Sequence, residues 1–223
     1  MASNRINARV KFSLNTIILM VVTASFFFNP SPVLADDNSD SVLPDFPTFS
    51  QSVLNGQASE LIGVYVPEVM AMPVVQQPVG NPGYVSTVEN VVTQFAMASE
   101  VGNVGLLAHN NLAGLDFTRL APGQEVNLVY GSGGIETFIV SRVVRYQALN
   151  PYSPYSEFRD LESGITISAQ ELFKQLYRGD RHVTFQTCIE SEGNLSWGRL
   201  FVIAEPKAIV EAKYYLHLNM LIK

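Results

Sequence analysis

The stretch EVNLVYGSGGIETFIVSRVVRYQAL, residues 125–149, decides the fold class. Two runs rich in Val, Ile, Tyr and Phe flank GSGG, and glycine supplies the positive φ that a tight hairpin turn needs. Nothing around GSGG has the strand–helix context or the lysine of a phosphate-binding loop. The same pattern extends outward. ELIGVYVPEVMAMPVVQQP (60–78) reads as one or two strands, and VGLLAHN (104–110) as a strand ending in polar residues. RHVTFQTCI (181–189) and WGRLFVIAEP (197–206) read as the last two strands, joined by ESEGNLS. Helical signals are fewer. STVENVVTQFAMASE (86–100) places Val88, Val91, Val92, Phe95 and Ala96 on one face behind a Ser or Thr cap. SAQELFKQLY (168–177) is a short capped helix, NLAGLDFTRLAPG (111–123) a loop or helical turn, and NPYSPYSEFRDLESG (150–164) a long polar connection. Many short strands with hairpin turns indicate an all-β barrel or sandwich with one or two short helices.

The ends of the chain read differently. Arg5, Arg9 and Lys11 precede the apolar run LNTIILMVVTASFFF, followed by NPSP and VLADD, with Val33 and Ala35 at the small-residue positions of a cleavage site. The apolar run is short for a spanning helix, which needs about 20 residues. Residues 1–35 are therefore expected to be a cleaved signal peptide, with an uncleaved anchor as the alternative. Residues 36–60 are expected to be a flexible polar linker, 61–206 the folded domain, and 207–223 a C-terminal tail. Apolar alternation in the tail suggests an extra strand, with a helix as the alternative. Removing residues 1–35 takes three of 14 basic residues and no acidic ones, so the formal charge moves from −6 to −9. Such a domain has no electrostatic reason to bind nucleic acid. Membrane contact is expected only through the N-terminal segment.

Cys188 is the only cysteine, so no intrachain disulfide can form, and a lone thiol in an exported chain is a candidate reactive group. A thiolate nucleophile needs a base or a positive charge nearby. His109 ends a strand. Arg199 stands early in the strand expected to pair with the one bearing Cys188, close to it across an antiparallel hairpin. His182 is six residues upstream of Cys188, about 20 Å away in an extended strand, too far for proton transfer. The plainer readings are a small buried thiol, a hydrogen-bonded structural histidine and a surface arginine. Asp116, Glu157, Asp160 and Glu162 read as solvated loop acids. The scattered Cys and His form no metal set, and no cofactor is expected.

The order GLLAHN (105–110, with Gly-x-x-x-His spacing), VTFQTC and WGRLFVIA resembles the sortase family of cysteine transpeptidases. In that family a strand-end histidine, a Thr-Leu-x-Thr-Cys strand and an arginine on the following strand carry the chemistry. Phe185 stands here where leucine is usual. The resemblance spans residues 61–206 and implies a closed eight-stranded β-barrel. It implies Cys188 as nucleophile, His109 as general acid and base, and Arg199 as oxyanion and substrate stabiliser, with Thr187 as a substrate-binding candidate. It also implies sorting-signal peptides of surface proteins as donors, an amine of cell-wall peptide or a protein lysine as acceptor, and a location outside the cytoplasm. A hydrolase that cleaves without ligating, and an inactive extracellular binding barrel, are the alternatives.

Overall fold

The computed structural model describes residues 43–221, without the side chains of 217–219 and 221. Its elements in chain order are α1 (Phe46–Val53), β1 (Leu61–Val66), β2 (Met70–Gln76), β3 (Val92–Gln94), α2 (Ala96–Glu100) and β4 (Val104–Leu107). Then come α3 (Gly114–Phe117), β5 (Glu125–Tyr130), β6 (Ile135–Ala148), β7 (Glu157–Asp160) and β8 (Thr166–Ser168). The chain ends through α4 (Ala169–Tyr177), β9 (Val183–Ser191), β10 (Asn194–Pro206) and α5 (Lys207–Leu221).

The strands run β10-β9-β4-β3-β2-β1-β5-β6, and β6 pairs with β10 to close the ring. This is the closed eight-stranded barrel that the resemblance implies, and it decides between the barrel and the sandwich that the strand pattern left open. β7 and β8 extend the sheet from β6 outside the ring. Two of the neighbours, β2–β3 and β4–β9, are parallel, and the other pairs are antiparallel. The hairpin at GSGG forms between β5 and β6, with Gly133 at φ 90°.

Alternation fills the barrel. Leu106, Leu128, Phe185, Leu200 and Val202 belong to one buried cluster inside it. The outer wall is covered in two places. Leu172, Leu176 and Tyr177 of α4 pack on Tyr146, Phe201 and Ile203. α1 packs Phe49 on Ile62, Tyr65 and Val129.

Four expectations change. Residues 46–53 belong to the expected linker but form α1, capped by Asp45, whose side chain accepts from the Thr48 N–H at 2.8 Å. Phe49 is only 4% exposed, so this segment is packed against the barrel. Residues 86–100 were expected to be one helix, yet only Ala96–Glu100 are helical and Val92–Gln94 form β3 beside β2. Val92 and Thr93 are β-branched and fully buried in that sheet, where pairing outweighs the helical spacing. The tail expected as a strand is the helix α5. With α1 to α5, the described residues hold more helices than the one or two expected. The signal-peptide reading of residues 1–35 lies outside the described residues.

Candidate active site

β9 and β10 are joined by a two-residue turn, Glu192 at φ 54° and Gly193 at φ 74°. Positive φ at both central positions is the turn whose twist matches the flanking strands. The turn alone would set Cys188 opposite Trp197, but a bulge between Asn194 and Gly198 shifts the register by two residues and makes Cys188 and Arg199 direct partners across the hairpin. Side chains of direct antiparallel partners share a face, with Cβ atoms about 4.5–5.5 Å apart. Gln186 is the partner of Leu107 in the parallel β4–β9 pair, and the Ala108 N–H continues that ladder to the Gln186 carbonyl at 3.2 Å. His109 therefore leaves the β4 edge beside the end of β9 that bears Cys188.

Alternation sorts the faces. Ala108, Phe185 and Leu200 belong to the barrel interior. Their neighbours His109, Gln186, Cys188 and Arg199 fall on the opposite side of the wall. All three candidate residues are partly exposed.

Local bonds hold each one. The His109 carbonyl accepts the N–H groups of Leu112 and Gly114, both at 3.0 Å, so the chain turns sharply into α3 just after it. Thr187, next to Cys188, donates its hydroxyl to the Ala108 carbonyl at 2.9 Å, pinning the two strands together. Gly114 sits where these meet. A Cβ there would stand 2.2 Å from Thr187 Oγ1 and 2.6 Å from the His109 carbonyl oxygen, so only glycine fits. Asn110 Nδ2 donates to the Leu195 carbonyl at 3.0 Å, tying the loop after His109 to the β9–β10 hairpin.

The Arg199 fork points at backbone oxygens. Nη1 donates to Ser196 and Gly198, at 2.9 and 2.8 Å, and Nη2 to Pro151 in the β6–β7 connection at 3.3 Å. A guanidinium held against carbonyl oxygens in this way is equipped to bind another carbonyl, or the oxyanion formed from one.

No protein-family profile and no curated protein matches the chain. Solved structures do match. Sortase A of Listeria monocytogenes is 13% identical over 66% of this chain and 87% of its own, with a TM-score of 0.43. Sortase C-1 of Actinomyces oris is 13% identical over 74% and 81%, with a TM-score of 0.45. Sortase C1 of Streptococcus agalactiae is 20% identical over 68% and 71%, with a TM-score of 0.41. The chain is similar to sortases. At this level of identity the likeness is one of fold alone, and the chemistry of the site is read from its own strands.

Cys188 lines an open pocket of about 280 Å³ with Asn110, Leu115, Arg145, Ile189, Glu190 and Leu200, and His109 and Arg199 are not part of that lining. Leu115, Arg145 and Glu190 were not picked out from the sequence, because they come from three different elements. Thr187, expected to bind substrate, is 2% exposed with its hydroxyl given to Ala108, so its place is structural. Gly114, missed in the sequence, is recognisable only from its contacts with Thr187 and His109. His182 stands apart, buried beneath α4, with Nδ1 2.7 Å from the Asp180 carbonyl and Nε2 2.9 Å from that of Leu176. Asp116 pairs with Arg119 at 2.9 Å, and Asp160 accepts the N–H groups of Glu162 and Ser163. Among the described residues, no group of three His, Cys, Asp or Glu side chains is placed to hold a metal.

Proposed function

We propose that the chain is a sortase-type cysteine transpeptidase working outside the cytoplasm. The observation that carries this reading is the register that sets Arg199 directly across from Cys188, with His109 leaving the neighbouring parallel strand.

In this reading the Cys188 thiolate attacks the carbonyl carbon after Thr in a Leu-Pro-x-Thr-Gly-like sorting signal. Arg199 turns its fork toward the oxyanion as the tetrahedral intermediate forms. Protonated His109 gives its proton to the leaving amine, and an acyl-thioester remains on Cys188. Neutral His109 then takes a proton from the incoming amine as it attacks the thioester. The new amide leaves with the acyl group and Cys188 departs as thiolate beside the protonated His109, which restores the starting state, so atoms and charge balance. The acceptor amine belongs to cell-wall peptide or a protein subunit.

The test is turnover of a fluorogenic sorting peptide with and without an added amine. Cys188→Ala is expected to abolish both cleavage and ligation. His109→Ala is expected to lower kcat by about 10²–10⁴-fold with an unchanged circular dichroism spectrum. Retention of wild-type turnover by Cys188→Ala, or a silent His109→Ala beside a damaging His182→Ala, defeats the reading.

A further inference from the structure

α5 starts on the barrel and runs off it. Lys207 Nζ donates to Glu125 Oε2 at 2.7 Å, and Ile209 and Lys213 line a pocket of about 200 Å³ with residues of β6, β10 and α4. Ile209, Lys213, Leu216 and Met220 fall at i, i+4, i+7 and i+11, one stripe of the helix. The stripe that meets the barrel at its start is bare at its end, where Leu216 is 64% and Met220 70% exposed. Tyr214 and Tyr215, off that stripe, are 64% and 63% exposed. The last two turns therefore show apolar groups in several directions. A helix of that kind is normally buried in protein or lipid.

Charge decides between them. The pocket at the foot of α5 gathers Arg142, Arg178, Arg181 and Lys213 against Asp180 and Glu205, in a chain of net charge −6. Lys213 pairs with Glu205, and Arg181 with Glu136. Arg142 and Arg178 are exposed and make no ion pair among the described residues. Along α5, Lys207 and Lys213, with Glu211 between them, come before the two tyrosines, and Leu216 and Met220 follow in a stretch that also holds His217 and Asn219. That is the order of phosphates, aromatic belt and hydrocarbon across a membrane surface. At 1.5 Å per residue, residues 214–221 span about 12 Å, close to one leaflet's share of a hydrocarbon core of about 30 Å. No helix among the described residues is long and apolar enough to cross a membrane.

The geometry points to α5 as an interfacial helix that dips into one leaflet of an anionic phospholipid surface, with Arg142 and Arg178 taking headgroup phosphates. This contact is separate from the N-terminal segment and independent of the chemistry at Cys188.

The test is peptide-resolved hydrogen exchange on the full chain, with vesicles of phosphatidylcholine alone or mixed with phosphatidylglycerol. Reading α5 peptides directly separates this contact from any made by residues 1–35. Mixed vesicles are expected to slow α5 exchange about tenfold, and phosphatidylcholine alone much less. Leu216→Asp with Met220→Asp is expected to abolish the slowing. Arg142→Glu with Arg178→Glu is expected to remove the preference for the mixed vesicles. Barrel peptides are expected to exchange alike in all variants. Unchanged α5 exchange, equal slowing by both vesicle types, or slowing that grows with protein concentration without lipid overturns the inference. The last result assigns the helix to a second copy of the chain.

Discussion

At Thr187 a single hydroxyl joins two parts of the site. It donates to the Ala108 carbonyl, one residue before His109, from the residue just before Cys188. Thr187→Val keeps the shape and removes the donor, leaving a buried carbonyl short of a partner, at about 1–3 kcal/mol. Urea denaturation is expected to show that loss, and kcat to fall about tenfold or more as His109 shifts. Gly114→Ala puts a methyl group into the same junction and is expected to be worse on both counts, since the clash is with backbone as well as a hydroxyl. A stable Gly114→Ala protein with wild-type kcat would show that the junction does not position His109. Tyr177 is buried, which pushes its phenol above the ordinary range, and its hydroxyl donates to Gln186 Oε1 at 2.5 Å. The phenol thus stays neutral while it fixes the outer face of β9 two residues from Cys188.

At the scale of elements, the β9–β10 hairpin and α1 carry the most. The turn places a glutamate, Glu192, at positive φ, where asparagine or glycine is favoured. Glu192→Asn is expected to raise stability by about 0.5–1 kcal/mol, read as a higher Tm. Gly193→Ala, strained at φ 74°, is expected to lower Tm and loosen the Cys188–Arg199 register, with activity falling alongside. α1 is held chiefly by Phe49 on Ile62, Tyr65 and Val129. Phe49→Ala is expected to cost about 3–5 kcal/mol and to speed proteolysis near residues 46–53 while leaving the site residues in place. An undiminished Tm in that variant would mean that α1 is not part of the cooperative unit. The composition of this segment hid the helix. Its Ser, Asp and Pro residues are those of a linker, but two are an N-cap and a first-turn proline, and one phenylalanine supplies the anchor.

For the molecule as a whole, the response to acid follows from carboxylates bonded in the fold. N–H donation from Ser163 holds Asp160 below its ordinary value, and the hydrogen bond from Lys207 does the same for Glu125. A lowered folded-state pKa means that the stabilisation is present above the unfolded value and is lost as pH falls through the folded one. Stability is therefore expected to drop below about pH 4.5, near the ordinary glutamate value. Both groups are mostly solvated, so each effect is small. Urea midpoints at pH 7 and pH 3 check this. Asp160→Asn and Glu125→Gln are each expected to lower the pH 7 midpoint and flatten the profile. A midpoint at pH 3 equal to that at pH 7 would exclude the linkage.

What the sequence alone determined is local and periodic. Alternating β-branched and aromatic runs made the hairpins legible, as Ser168 did for the start of α4, because these signals act within a few residues. The order of His109, Cys188 and Arg199, with the turn between the last two, was enough to expect Cys188 and Arg199 close together. Other features were decided only by tertiary structure. Residues 92–94 carry a helical spacing, but the parallel neighbour β2 offered a buried ladder, and long-range pairing outweighed local propensity. Thr187 looked like a site residue and is a structural one. Gly114 looked like part of a loop and sits at the crowded junction beside His109. Their roles depend on parallel strands β4 and β9, joined through Ala108, His109 and α3 to residues about 80 positions away in sequence. Sequence spacing carries no distance between such segments. Only closure of the barrel brings them together.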